Sequence, residues 1–216
     1  MQRRNYQKEL DRILERQERE KIRPRLLLHS CCAPCSSYVL EYLSAWFDIV
    51  LFYYNPNIDP PSEYDKRAKE QERLIHEMEE AGALSGTVEF ARGEYEPGRF
   101  YEAVKGHEKD PEGGERCGIC YRLRLGEAKE AAERYGCDYF TTTLSISPLK
   151  NAERLNRIGE ELAADFGARY LPSDFKKRDG YKRSIQLSAQ YGLYRQDYCG
   201  CIFSRRERLE EKKRFP

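Results

Sequence analysis

Cysteine placement constrains this chain more than any other feature. Seven of its eight cysteines fall into three short groups far apart in sequence: Cys31, Cys32 and Cys35, then Cys117 and Cys120, then Cys199 and Cys201. Only Cys137 stands alone, and a lone cysteine at a strand entry is most often a small buried apolar residue. Met1 leads into arginines and glutamines, and no apolar run approaches the ~20 residues that span a bilayer, so the expectation is a cytoplasmic chain without signal peptide or membrane helix. In that reducing compartment clustered thiols point to metal ligation or thiol chemistry rather than structural cross-links. Seven grouped thiols also exceed the set on which a structural zinc closes.

At 216 residues the chain is long enough for one α/β-sized domain with a real core. Charged residues make up 35% and the apolar letters 39%, with a net charge of +1, which reads as globular. That near-neutral total conceals two basic ends: residues 1–25 and 205–216 together carry +7, the remainder −6. The expected organisation is a charged helical extension over 1–24, a catalytic α/β domain over 25–204 and a basic tail over 205–216. In the extension, Tyr6 through Ile22 places Leu10, Ile13 and Leu14 at helical spacing along one narrow stripe.

From Arg25 the pattern alternates between strand and helix signals. Leu26 to Leu28 predicts a first strand ending at the first cysteine group. A helix follows, capped by Ser36 or Ser37, with Val39, Leu40, Tyr42, Leu43, Trp46 and Phe47 as its apolar face. Asp48 to Tyr54 predicts the second strand, Ser62-x-x-Asp65 opens a charged helix through Met78, and Thr87 to Arg92 is the third strand. Residues 93–116 read as loop with a short helix near Arg99 to Lys105. A longer helix starts by Cys117 and stops at Gly136, Asp138 to Thr142 is the fourth strand, Asn151 to Phe166 a helix and Ala168 to Leu171 the fifth strand. A last helix covers Tyr181 to Tyr191. Strands separated by helices imply a parallel sheet.

Ligands of such a sheet collect beyond the carboxyl ends of its strands, which is where the first cysteine group falls. The following helix N-terminus should ease deprotonation of Cys35 and its neighbours. No glycine-rich cradle is present, so ATP chemistry is disfavoured. Cys117-Gly118-Ile119-Cys120 is a spacing shared by zinc sites, iron–sulfur sites and redox pairs. Two thiols from it and two from Cys31-Cys32-x-x-Cys35 would complete an all-thiolate site equally suited to zinc or a 4Fe-4S cluster. A disulfide across Cys199-Gly200-Cys201 would be strained and labile, with Gly200 allowing the unusual backbone it needs. His29 reads equally as a satisfied strand-end histidine or a partner to the thiols.

Five segments in order then carry a resemblance: Leu28-His29-Ser30-Cys31-Cys32-Ala33-Pro34-Cys35-Ser36; Arg116-Cys117-x-x-Cys120-Tyr121-x-x-Arg124-Leu125; Phe140-Thr141-Thr142-Thr143-Leu144-Ser145-x-Ser147-Pro148-x-Lys150-Asn151; Asp174-Phe175-Lys176-Lys177; and Tyr198-Cys199-Gly200-Cys201-x-x-Ser204. Together, over about residues 25–204, they resemble the QueH-type epoxyqueuosine reductases. The resemblance implies a nucleotide-hydrolase-like (HUP-type) α/β fold with cysteines in place of the phosphate loop. It also implies reduction of epoxyqueuosine to queuosine at the tRNA wobble position, without cobalamin and with a 4Fe-4S cluster. By motif, Cys31, Cys32, Cys117 and Cys120 would ligate the cluster, and Cys199 with Cys201 would form a redox-active pair.

Two further expectations follow from the chemistry. Cys35, Cys199 and Cys201 with a carboxylate, Asp197 or else Asp174, would hold an additional mononuclear iron. Lys176, Lys177, Arg178, Lys182 and Arg183 would contact tRNA phosphates, with the Lys212-Lys213-Arg214 tail adding to them, and Tyr198, with Tyr191 and Tyr194, would stack on an extruded base. The expected assembly is a monomer fed by an external electron donor. Two other classes stay open: a zinc-stabilised RNA-binding module without catalysis, and a thiol–disulfide oxidoreductase.

Overall fold

Successive residues of a buried strand face opposite sides of a sheet, and here both sides are apolar. In β1 (Arg25–Ser30), Leu26 and Leu28 enter one core while Leu27 enters another. The same alternation continues in β2 (Asp48–Tyr53), where Ile49 and Leu51 share the first core and Val50 and Phe52 the second. The structure is a computed structural model that describes residues 4–164 and 167–214. The sheet is completed by β3 (Val88–Arg92), β4 (Tyr139–Thr142) and β5 (Arg169–Tyr170), in the order β3-β2-β1-β4-β5 with every pair parallel. Leu27 pairs with Val50 on one side and Phe140 on the other.

The helices cover both faces. On the first lie α1 (Tyr6–Glu20), α2 (Ala33–Leu43) and α3 (Pro61–Glu80), which supply Leu10, Leu14, Val39, Leu40, Leu43, Leu74 and Met78. On the second lie α5 (Glu115–Arg134) and α6 (Ala152–Ala163), which supply Leu125, Ala128, Ala131, Leu155 and Ile158. A short helix, α4 (Pro97–Ala103), precedes α5, while α7 (Gly180–Gln190) packs on α2 and α8 (Ile202–Arg214) closes the chain. The stripe expected on α1 is real: Leu10 and Leu14 are buried four residues apart, each contributing roughly 1.5–3 kcal/mol of apolar burial.

Several boundaries differ from expectation. Helix α2 is capped at Cys32, not Ser36 or Ser37, because Pro34 fits the open first turn and both serine hydroxyls turn back onto carbonyls, Ser36 onto Cys32 and Ser37 onto Pro34. Helix α3 starts at Pro61, ahead of Ser62, for the same reason. Asn151 does cap α6, accepting from the Arg154 amide at 3.0 Å, but the expected end at Phe166 lies outside the described residues. Residues 205–214, expected as a tail, continue α8.

Candidate active site

The chain leaves β1 toward β2 on one side and later returns to β4 on the other, so the strand order reverses between β1 and β4. A crevice opens at the carboxyl ends of two strands whose connections diverge, and this is where doubly wound sheets bind ligands. Three cysteine-bearing segments meet the crevice. Cys31 and Cys32 follow directly from β1, and Cys35 lies in the first turn of α2. Cys117 and Cys120 occupy one face of the first two turns of α5. Cys199 and Cys201 sit between α7 and α8. All eight cysteines are free thiols.

The first group is compact: the sulfurs of Cys31, Cys32 and Cys35 lie within 4.8 Å of one another, and Cys31 to Cys32 is 3.8 Å. The expectation that Cys35 and its neighbours are eased toward ionisation holds for Cys32, lowered well below the usual range, and fails for Cys35 and Cys31, which are raised. The cause is local. Cys32 accepts from the Cys31 and Cys35 thiols and has the Arg67 guanidinium nearby, so one negative charge in the group settles on Cys32. Burial pushes Cys120 up to about 11 and Cys201 up to about 12.

A cavity of about 550 Å³ runs along the crevice, with Cys31, Cys35 and Cys199 in its wall together with Arg124, Lys150 and Tyr198. A narrower pocket adjoins it, walled by Cys117, Cys120, Cys199 and Cys201. Glu112, Arg124, Cys199 and Ser204 line both, so members of the three thiol groups border two cavities that share these four residues.

The third group is pinned from several directions. The Gly200 carbonyl accepts from the Asp59 amide at 2.9 Å, and the Cys199 carbonyl accepts from Arg67 at 3.2 Å. Buried Lys150 donates to the Cys199 sulfur at 3.1 Å and to Glu112 at 3.0 Å. Burial alone would lower the Lys150 pKa, but the Cys199 sulfur, Tyr121 and Glu112 outweigh it, so the ammonium is held. Ser204 accepts from the Cys199 amide at 3.1 Å and donates to Glu112 at 2.9 Å. Gly200 adopts φ 130°, the backbone freedom expected of it.

Other expected residues fall in more ordinary places. His29 is fully buried, with Nε2 donating to the Tyr54 carbonyl at 3.0 Å and Nδ1 accepting from Thr142 Oγ1 at 2.8 Å. Burial, with Arg124 nearby, pushes its pKa down to about 4, so it is a satisfied neutral histidine. Asp197 lines the cavity but its carboxylate pairs with Lys212, and Asp174 pairs with Lys176 at 2.6 Å. Glu112, not singled out from the sequence, is the carboxylate that the fold brings among the thiols. Of the basic segment, Lys176 is tied to Asp174 and the Ser145 carbonyl, while Arg178 pairs with Asp11 and Arg183 with Glu41 with 58% and 40% of their side chains still exposed; Lys177 and Lys182 are exposed without such pairs among the described residues. Tyr194 donates to Glu63 and Tyr191 packs on the core, so of the three tyrosines only Tyr198 lines the cavity. Cys137 is buried in the second core, as expected.

Sequence reading also passed over Arg124, although a signal was present. It lies four residues after Cys120 on the same helix face, inside one of the quoted segments.

Fold and site together define a parallel α/β protein with a thiol-lined crevice at the switch point of its sheet. The family model described as epoxyqueuosine reductase QueH matches residues 26–207. Similar proteins carrying that name include one from Staphylococcus epidermidis, 45% identical over 93% of this chain and 84% of the relative. A second, from Streptococcus pyogenes, is 40% identical over 93% of this chain and 78% of its own length. A third, from Thermotoga maritima, is 35% identical over 86% of this chain and 93% of its own length. The chain belongs to the QueH family.

Proposed function

We propose that this chain is an epoxyqueuosine reductase, converting epoxyqueuosine to queuosine at the wobble position of tRNA with a 4Fe-4S cluster and no cobalamin. The observation that carries this reading is that members of all three thiol groups line two adjoining cavities at the switch point, with Cys199 in the wall of both. The names of its relatives support the activity. The strand order β3-β2-β1-β4-β5 supports the nucleotide-hydrolase-like class, with cysteines where other members hold phosphate.

Opening an epoxide to an alkene consumes two electrons and two protons and releases the oxygen as water, the electrons coming from an external reductant. A bound cluster supplies electrons singly. The donor set fits it: Cys31, Cys32, Cys117 and Cys120 would hold the cluster, leaving Cys35, Cys199 and Cys201 beside it. Those three would act through the Cys199–Cys201 pair or hold a second iron, for which Glu112 is better placed than Asp197 or Asp174 because it lines both thiol-bearing cavities. Lys150 presents a buried positive charge on the cavity wall, suited to binding a substrate oxygen. Tyr198, its hydroxyl fixed on the Asp59 carbonyl at 2.9 Å, offers a held ring for an extruded base. A cavity of this size suits one modified nucleobase. Arg195 and Arg208 in the same wall are further candidates for phosphate contacts, beside exposed Lys177 and Lys182.

The test is anaerobic incubation of iron-loaded protein and a low-potential chemical reductant with epoxyqueuosine-containing tRNA. Queuosine should appear, and serine replacement of one cysteine in any of the three groups should abolish it. Failure of fully loaded protein to convert the tRNA contradicts the proposal. One observation favours a second reading: the 3.8 Å between the Cys31 and Cys32 sulfurs suits two ligands on one tetrahedral ion with bonds of about 2.3 Å. A zinc-stabilised RNA-binding module would purify colourless, the iron–sulfur enzyme brown.

A further inference from the structure

Arginines are rarely buried without an anion, and three of the largest fully buried side chains here are Arg67, Arg116 and Arg124. Arg67 is answered by Glu63 at 2.7 Å and Arg116 by Glu207 at 2.9 Å. Arg124 is not. It is 1% exposed, and no carboxylate pairs with it among the described residues. Its Nε reaches the Cys120 carbonyl at 3.3 Å, its Nη1 reaches Asn55 Oδ1 at 3.4 Å, and its Nη2 has no partner. Its Cζ also lies 5.9 Å from the centre of the Tyr121 ring, but a guanidinium cannot shed its proton, so the fold holds a permanent cation that no carboxylate answers.

Its position says what would compensate it. Arg124 lies in the wall of both cavities, with Cys31, Cys120 and Cys199 among the residues that line them and its Nε on the Cys120 carbonyl. An iron–sulfur group held by four thiolates is anionic and gains one more negative charge on accepting an electron. We infer that Arg124 is a positioning residue whose guanidinium is the fixed countercharge for that group, retaining it and favouring its reduced form. This rests on the cofactor assigned above. Attraction across a few ångströms of low-dielectric interior is large enough to shift a one-electron equilibrium by about tenfold.

The experiment is an anaerobic redox titration of iron-loaded wild type, Arg124→Gln and Arg124→Lys, followed by electron paramagnetic resonance, with thermal unfolding of each metal-free protein alongside. At fixed potential the reduced-to-oxidised ratio of Arg124→Gln should fall about tenfold, a 59 mV lower midpoint for one electron, with Arg124→Lys nearer to wild type. Metal-free Arg124→Gln should melt no lower than metal-free wild type, because an unanswered buried cation has been removed; a merely structural arginine would lower it. Iron lost from Arg124→Gln but kept by Arg124→Lys supports the charge role equally. An unmoved potential in a loaded Arg124→Gln, a lowered metal-free melting temperature, or iron lost from both variants overturns it. Absence of iron and sulfide from wild type sinks the cofactor assignment itself, before any variant is compared.

Discussion

The backbone at Gly200 is the sharpest residue-level constraint on the third thiol pair. A Cβ there would stand 2.9 Å from Ile58 Cγ1 and 3.2 Å from Arg67 Nη1, at a φ of 130° that side chains other than glycine's rarely adopt. Gly200→Ala is therefore expected to cost about 1–3 kcal/mol in denaturant unfolding and to reduce iron retention; wild-type values for both would show that the loop adapts. The need for glycine was legible in Cys-x-Cys, because closing two neighbouring thiols onto one site demands an unusual turn. Glu112 was not legible, because it lies in a stretch without period and reaches the thiols only through Lys150 and Ser204, which sequence spacing does not relate to it. Which of the three thiols is eased toward ionisation was hidden likewise: the helix start raised expectation for Cys35 and its neighbours alike, but the hydrogen bonds that favour Cys32 exist only once the three side chains are placed.

At the scale of elements, α8 is the part the sequence described least well. Its residues are mostly charged and only Ser204 is buried, so no apolar stripe announced a helix over 202–214. Phe203 packs against the cluster that holds Phe100 and Val104, and polar contacts complete the docking: Ser204 to Glu112 and to the Cys199 amide, and Arg116 with the Glu112 amide to Glu207. Ser204→Ala strands a partly buried carboxylate and an amide, which should cost about 1–3 kcal/mol and speed hydrogen exchange over 199–214; unchanged exchange there would remove Ser204 from the docking. Docking also carries a pH dependence. Burial by itself would raise the Glu112 pKa, but Lys150 and Ser204 lower it below the ordinary 4.5. Its stabilisation is thus full above pH 4.5 and lost as pH falls through the lowered folded value. Exchange over α8 should accelerate only on that acid limb, and Glu112→Gln should abolish the step. The strands and core helices, by contrast, were legible to within a few residues, because the continuous apolar runs of β1 and β2 and the Leu10–Leu14 spacing in α1 are local patterns, although Trp46 and Phe47, expected on the face of α2, lie beyond its end at Leu43.

For the whole molecule, the basic ends foreseen from charge counting turn out to be built into the fold, α1 through its leucines and α8 through its salt bridges. In the basic segment after β5, Lys176, Arg178 and Arg183 are engaged in ion pairs, the two arginines at the surface, and Lys177 and Lys182 face solvent without one among the described residues. Replacing both by alanine should weaken tRNA binding and flatten the dependence of log affinity on log salt by about 0.7 for each single-strand phosphate no longer neutralised; an unchanged slope would move the interface to the cavity rim at Arg195 and Arg208. Among the described residues no helix is long and apolar enough to cross a membrane. The account as a whole stands on iron being held where three thiol groups converge, and anaerobic quantification of iron and acid-labile sulfide per chain tests that most directly. About four of each, or four sulfides with slightly more iron, is the predicted result; a single zinc with no sulfide would contradict it.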